Sequence, residues 1–282
     1  MSGIRYSLNR TCSPDLTLAQ FIELAKAVGV DAIEVRNDIP GREFADGTEA
    51  AVISAALSEA GLGLASINAL QRFNDWDRDR EEEALSLVRY ATTLGAPGIV
   101  LCPVVDAAHG WSESELEEKL QHALRMLRPI LLDHGVTGYV EPLGMKGSTM
   151  MQQRAAVSAV TDVAGWDAFR ICHDTFQFYR CGDAQMFTEQ IGLVHISGIE
   201  RTDLPPDELT EPDRGLVFGN DRVGNVAQLQ SLLAAGYRGF VSIEPFNPVV
   251  QQDPRLASQL GKCINYVRAE IREERVEARA SQ

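Results

Sequence analysis

Short runs of β-forming residues alternate along the whole chain with longer stretches of helical periodicity, and this alternation limits the fold more than any other feature. The stretch Leu18–Val28 illustrates the helices, because its apolar residues recur at helical spacing and Gly29 stands at its C-terminal end. Eight strand candidates can be assigned: Ile4–Leu8, Asp31–Arg36, Leu62–Asn68, Gly98–Cys102, Val136–Glu141, Ala168–Asp174, Gly192–Ile196 and Gly239–Glu244. Strands and helices that alternate in this way predict a parallel sheet covered by helices.

Eight such units in 282 residues favour an α/β fold in which the sheet closes into a (β/α)8 TIM barrel. A doubly wound open sheet is the alternative, but the sequence lacks the glycine-rich phosphate-binding turn that would support it after the first strand. No low-complexity linker interrupts the chain, so residues 1–282 are expected to form a single domain that ends in a charged helix at about 254–282. A short helix at Ala184–Glu189 is predicted before the seventh strand.

The charge balance limits the classes of partner. A formal net charge of −14 at pH 7 argues against a nucleic-acid partner, because such proteins usually carry a basic surface. No run of about 18 apolar residues occurs, so neither a transmembrane helix nor a membrane partner is expected. The N-terminus lacks the apolar core of a signal peptide, which predicts a cytoplasmic protein. The five cysteines are widely spaced and odd in number, which indicates reduced thiols.

Polar side chains occupy the C-terminal ends of four consecutive strand candidates, where barrels of this class place their active sites. The fifth strand ends in Glu141 and the sixth in Asp174, the seventh carries His195, and the eighth ends in Glu244. Side chains alternate between the two faces of a strand, so these four can point toward the barrel axis while their apolar neighbours pack against the helices. By the same alternation, His173 is expected to face away from the axis and to play a structural role.

Two of these residues directly precede proline, since Pro142 follows Glu141 and Pro245 follows Glu244. A residue before proline is restricted to extended backbone, so both glutamates are expected to be held in strand geometry. Converging carboxylates repel one another unless a cation lies between them. Three carboxylates and one imidazole suit one divalent metal ion, with Mn²⁺ or Zn²⁺ preferred and Mg²⁺ or Co²⁺ as alternatives.

The four residues lie within or beside recognisable segments of the chain: Ala32–Arg36, Ile67–Leu70, Glu141–Pro142, His173–Phe178, Gly192–Gly198, Asp221–Asn225 and Gly236–Phe246. These segments resemble the sugar isomerase/epimerase superfamily of xylose isomerase-like TIM barrels. Within that superfamily they most resemble the bacterial inosose (2-keto-myo-inositol) isomerases. The resemblance covers nearly the whole chain, and its specific part is the set of four strand-end residues.

The resemblance implies that Glu141, Asp174, His195 and Glu244 bind the metal, and that the two glutamates act as acid and base on opposite sides of the substrate. It also implies that nearby polar side chains contact the hydroxyl groups of the substrate. The candidates are Glu34, Arg36, Asn68, Gln177, Arg201 and Arg214. Gln177 departs from the family pattern, which often has histidine three residues after the metal-binding aspartate. Glutamine can form hydrogen bonds but cannot act as an acid or base near neutrality.

The resemblance therefore implies a metal-dependent isomerase of carbohydrate metabolism, acting in inositol catabolism if inosose is its substrate. The expected partner is a small polyhydroxylated carbonyl compound, and the question of a homo-oligomer stays open. The same scaffold also serves inosose or dehydroshikimate dehydratases and hydroxypyruvate isomerases. An endonuclease-like relative would need several metal ions and more than the five histidines present. A non-catalytic barrel would bind a sugar without exchanging its protons.

Overall fold

The computed structural model describes residues 4–280, and the side chains of residues 4–271. Eight parallel strands form a closed barrel in which each strand pairs with the next and the last pairs with the first. The strands are β1 (Arg5–Asn9), β2 (Ala32–Arg36), β3 (Gly63–Leu70), β4 (Gly98–Leu101), β5 (Thr137–Val140), β6 (Phe169–Asp174), β7 (Ile191–Ile196) and β8 (Phe240–Ile243). The prediction of a (β/α)8 barrel is confirmed.

The helices lie outside the barrel, where the first seven each lie between two successive strands and the last two follow β8. They are α1 (Leu18–Val28), α2 (Ala50–Ala60), α3 (Arg78–Leu94), α4 (Glu113–His134), α5 (Gln153–Asp162), α6 (Thr175–Arg180), α7 (Asn225–Ala234), α8 (Pro248–Gln251) and α9 (Leu256–Ala280). Residues 281 and 282, at the end of the predicted charged helix, lie outside the described residues. No helix of the described part is long and apolar enough to cross a membrane.

Local sequence signals set most helix boundaries. Ser112 begins α4 with a capping box, because its hydroxyl accepts from the Glu115 backbone while the Glu115 side chain accepts from the Ser112 backbone. Four helices end at a glycine in the left-handed conformation, where a residue with a side chain would be strained. These glycines are Gly29, Gly61, Gly95 and Gly135.

The predicted helix at Ala184–Glu189 is wrong. That segment contains only the start of a single 3-10 turn at Thr188–Gln190, and α6 begins directly after β6 instead. The Asp174 carboxylate fixes the start of α6, because it accepts hydrogen bonds from the Phe176 and Gln177 backbones. As a result, Gln177 lies at the C-terminal end of the barrel rather than in a distant loop.

Mostly small and medium apolar side chains fill the lower part of the barrel interior, among them Ala32, Ala65, Val100 and Leu193. Gly98 lets the Tyr139 ring approach, since a Cβ at that position would lie 2.4 Å from a ring carbon. A larger apolar cluster fills the space between the strands and the helices. The interior is therefore packed, and polar groups are concentrated near the C-terminal ends of the strands.

Candidate metal and substrate site

The structure brings together the side chains that end the last four strands. One ligand atom from each of Glu141, Asp174, His195 and Glu244 lies within 4.8 Å of the other three. All four residues are buried. Because adjacent parallel strands place their C-terminal ends at the same rim, residues more than 100 positions apart in sequence form one cluster.

The His195 ring lies between carboxylates on both of its nitrogen sides, so the cluster requires additional positive charge. Its Nε2 lies 3.2 Å from the Glu34 carboxylate, and its Nδ1 lies 3.2 Å from Glu141 Oε1 and 3.3 Å from Glu244 Oε2. A carboxylate only accepts hydrogen bonds, so Nε2 carries a proton toward Glu34. In the neutral ring, Nδ1 then directs a lone pair at two carboxylates. That arrangement is stable only if Nδ1 is also protonated or a metal ion lies between these groups.

The pKa values reflect the crowding of negative charge. Burial raises the pKa of Asp174 to about 7, although the Arg214 guanidinium opposes this shift. Burial would also raise the pKa of Glu244, but His195 and Arg214 lower it below its ordinary value. Burial would lower the pKa of His195, yet the neighbouring carboxylates of Glu244 and Glu34 raise it well above its ordinary value. Without a metal, the cluster therefore retains protons that a divalent cation would displace.

The donor set fits a divalent ion. Three carboxylates and one imidazole match Zn²⁺, Mn²⁺, Co²⁺ or Mg²⁺. Cys172 also lies nearby, with Sγ 3.6 Å from His195 Nδ1, and forms a second possible ligand group with Glu141 and His195. Burial raises the pKa of Cys172 well above its ordinary value, so its thiol stays protonated and is a poor ligand.

Arg214 lies against the cluster with its side chain 2% exposed. Its Nη2 donates to Asp174 Oδ2 at 2.6 Å and to Glu244 Oε2 at 2.8 Å. Its Nη1 donates to Glu211 at 2.6 Å, and its Nε donates to the Ser197 hydroxyl at 2.9 Å. One guanidinium thus fixes two of the clustered carboxylates in position.

Glu244 is held from its other side by two more residues. Arg36 Nη1 lies 3.3 Å from Glu244 Oε1, while the remaining edge of this guanidinium forms a bidentate pair with Asp38. The Asn9 side-chain amide donates to the same oxygen at 3.1 Å. Sequence reasoning missed Asn9 because the first strand was predicted to end at Leu8. The rule that selects polar strand ends would have found it, since Asn9 is the last residue of β1.

A cavity of about 120 Å³ opens above Glu141 and Glu244. Asn68, Arg36, Gln177 and Arg214, which the sequence suggested as substrate contacts, all line this cavity. Its apolar lining includes Leu143, Met145 and Phe246. Gln177 is 2% exposed, and its Nε2 donates to Glu211 at 3.0 Å. Its Oε1 has no partner among the described residues, so it is available to accept a hydrogen bond.

Two predicted substrate contacts lie elsewhere. Glu34 does not line the cavity, because it is fully buried on the far side of His195. Arg201 has a side chain that is 41% exposed and paired with Asp203 and Asp213, and it lines a separate cleft of about 650 Å³. A position at a strand end places a residue at the correct rim of the barrel, but it does not decide with which neighbouring side chain that residue pairs.

His173 faces the helices, as predicted. Its Nδ1 accepts from Gln153 and its Nε2 donates to Gln228. Burial lowers the pKa of His173 to about 4, so the ring is neutral at physiological pH and serves as a structural bridge.

The chain belongs to the xylose isomerase-like TIM barrel family, whose family model matches residues 22–265. No curated protein sequence matches it significantly.

Solved structures of similar proteins extend this comparison. A xylose isomerase domain-containing protein from Salmonella typhimurium LT2 is 26% identical, with a TM-score of 0.84 over 96% of this chain and 99% of that chain. The IolI protein with a zinc atom is 22% identical, with a TM-score of 0.83 over 95% of this chain and 98% of that chain. The D-psicose 3-epimerase from Clostridium cellulolyticum H10, solved with D-tagatose, is 16% identical, with a TM-score of 0.74 over 95% of this chain and 99% of that chain.

Proposed function

We propose that this protein is a divalent-metal-dependent isomerase that moves a proton beside the carbonyl group of a neutral keto-cyclitol or keto sugar, with inosose as the favoured substrate. The observation that carries the proposal is the buried cluster of Glu141, Asp174, His195 and Glu244 beneath a small cavity. The zinc atom in the IolI structure and the ketose in the epimerase structure support it, because both proteins share this fold.

When bound, the metal ion would supply Lewis-acid stabilisation of the negative charge that builds on the carbonyl oxygen. The proton transfer itself falls to Glu141 and Glu244, the two glutamates of the cluster that also line the cavity. His195 and Arg214 lower the pKa of Glu244, although burial opposes them, so this carboxylate is ionised, which is the state a base requires. Glu141 faces the same cavity just after β5 and, acting as the acid, would donate its own proton to the adjacent carbon while Glu244 keeps the proton it removed. The hydrogen bonds from Asn9, Arg36 and Arg214 would hold the base in place.

The charge around the cavity favours an uncharged substrate. Arg36 is paired with Asp38 and Arg214 with Glu211, so neither guanidinium offers net positive charge to a ligand. The four carboxylates around His195 outnumber the two positive charges of a divalent ion. A carboxylate substrate such as hydroxypyruvate or dehydroshikimate would be repelled, whereas a polyol ketone would not.

The cavity size favours a small ligand over a nucleic acid. A volume of about 120 Å³ corresponds to roughly four water molecules at ~30 Å³ each, so it fits part of a compact polyhydroxylated ring. Among the described residues, each possible metal group contains a single histidine, and the chain carries a net charge of −14. Both features disfavour the endonuclease alternative.

The proposal is tested by incubating inosose and related ketones with the protein in D₂O, with Mn²⁺, Zn²⁺, Co²⁺ or Mg²⁺ added in turn. NMR should show deuterium at the carbon beside the carbonyl and formation of an isomeric ketone. A conjugated, absorbing product would indicate the dehydratase instead. Binding without exchange would indicate a non-catalytic barrel.

We expect Glu141→Gln and Glu244→Gln each to lower kcat by about 10²–10⁴-fold, the usual contribution of an acid or base. Metal content is measured in each variant, so that loss of the ion is distinguished from loss of proton transfer. Glu113→Gln, at an exposed position in the first turn of α4, is the matched control and should keep the wild-type rate. A Glu244→Gln variant that retains both metal and near-normal exchange would contradict the assignment.

A further inference from the structure

Glu34 is an ionisable side chain that the proposed chemistry leaves without a role. It lies at the centre of the barrel on β2, is fully buried, and does not line the cavity. Its Oε2 accepts from the Ser66 hydroxyl and lies 3.2 Å from His195 Nε2. Among the described residues, its only ion-pair partner is His195. Burying a carboxylate is costly, so its retention in the barrel core points to a specific task.

The task follows from the two ring nitrogens of His195. Nδ1 faces Glu141 and Glu244 in the cluster, whereas Nε2 faces Glu34 on the opposite side of the ring. A neutral imidazole carries one proton, and that proton can sit on either nitrogen. If it sat on Nδ1, it would occupy the position from which the ring binds a metal ion. An acceptor fixed at Nε2 removes this ambiguity.

We propose that Glu34 is a positioning residue that holds the His195 proton on Nε2 and so directs the Nδ1 lone pair at the metal position. Ser66 completes the arrangement, because its hydroxyl fixes the carboxylate oxygen that meets the ring. The inference rests on the metal site of the proposed function, but it does not depend on which substrate or reaction that site serves. Glu34 acts through His195 and does not contact the substrate.

The first test measures metal affinity rather than turnover. Zn²⁺ and Mn²⁺ affinities of the metal-stripped protein are determined by chelator competition and calorimetry for the wild type and Glu34→Gln. Glutamine keeps a carbonyl acceptor but loses the negative charge, and its NH₂ group can donate to Nε2 and favour the wrong tautomer. Mutating the partner of a metal-binding histidine typically weakens binding by about 10–100-fold, and we expect a loss of that size. Glu43→Gln is the control, because Glu43 is another buried glutamate, and its ion-pair partner, Arg10, is not a residue of the cluster. It should keep wild-type metal affinity. A folded Glu34→Gln variant with affinity within twofold of the wild type would overturn the proposal.

The second test uses the wild-type protein and needs no variant to fold. Long-range ¹H–¹⁵N spectra of the Zn²⁺-loaded protein with labelled histidine should show His195 protonated at Nε2 and bound to metal through Nδ1. The reverse pattern, or absence of metal binding in the wild type, would also overturn the proposal. If metal binds as expected but no ketone exchanges deuterium, the proposed function fails while the role of Glu34 stands.

Discussion

Arg10 and Glu43 form a buried ion pair that joins the segment after β1 to the segment after β2. Their side chains are 0% and 4% exposed, and Arg10 Nε lies 3.0 Å from Glu43 Oε2. Arg10 also donates to the backbone carbonyls of Ser13 and Leu16, so every described acceptor of this guanidinium lies in these two segments. Replacing Glu43 with glutamine removes the negative charge and leaves the guanidinium uncompensated in the interior.

Breaking a buried ion pair from one side costs about 3–5 kcal/mol. Glutamine keeps one carbonyl acceptor, and the two backbone carbonyls remain, so we expect Glu43→Gln to lose about 3 kcal/mol of the free energy of unfolding. For a chain of this size, each kcal/mol lowers Tm by about 2–4 °C, which gives a decrease of about 6–12 °C.

Urea denaturation followed by circular dichroism, together with thermal melting, measures this loss at pH 7. The matched control is Glu23→Gln, which breaks the surface pair with Lys26, whose partners are 70% and 47% exposed. Exposed pairs contribute about 0–1 kcal/mol, so the control should be nearly neutral. A Glu43→Gln variant that loses less than about 1 kcal/mol would refute the view that the pair stabilises the rim of the barrel.

Two other substitutions test the segments around the cluster. Gly198→Ala would place a Cβ 2.2 Å from the Leu216 carbonyl oxygen and should displace the segment carrying Arg214. Calorimetric titration should therefore show weaker metal binding by this variant. Gly219→Ala, whose Cβ would have 3.7 Å of clearance, is the control and should bind metal with wild-type affinity. The pKa of His173 is lowered to about 4, so its contribution to stability is present above pH 6.5 and is lost as the pH falls toward 4. The free energy of unfolding, measured at a series of pH values, should therefore fall by roughly 3 kcal/mol less in His173→Gln than in the wild type as the pH is lowered. The same pH dependence in the variant and the wild type would contradict a buried neutral ring.

The sequence alone determined the architecture and the cluster. Hydrophobic periodicity is a local property, so eight strand and helix units could be read directly, and glycines marked the ends of the first four helices. The cluster followed from one geometric rule, because parallel strands in a barrel bring their C-terminal ends to one rim. Any polar residue at such an end is a candidate, and Glu141, Asp174, His195 and Glu244 satisfied the rule on consecutive strands.

Only the tertiary structure decided which partner each side chain takes. Glu34 lies within β2 and Glu141 directly follows β5, yet Glu34 lies behind His195 while Glu141 faces the cavity. Arg201 and Arg214 are close in sequence, but the first is partly exposed and pairs with Asp203 and Asp213, while the second is buried against the cluster. These outcomes depend on distances between residues far apart in the chain, on burial and on competing charges. The amino-acid sequence contains none of these quantities, whereas hydrophobic periodicity and the ends of strands can be recognised in it directly.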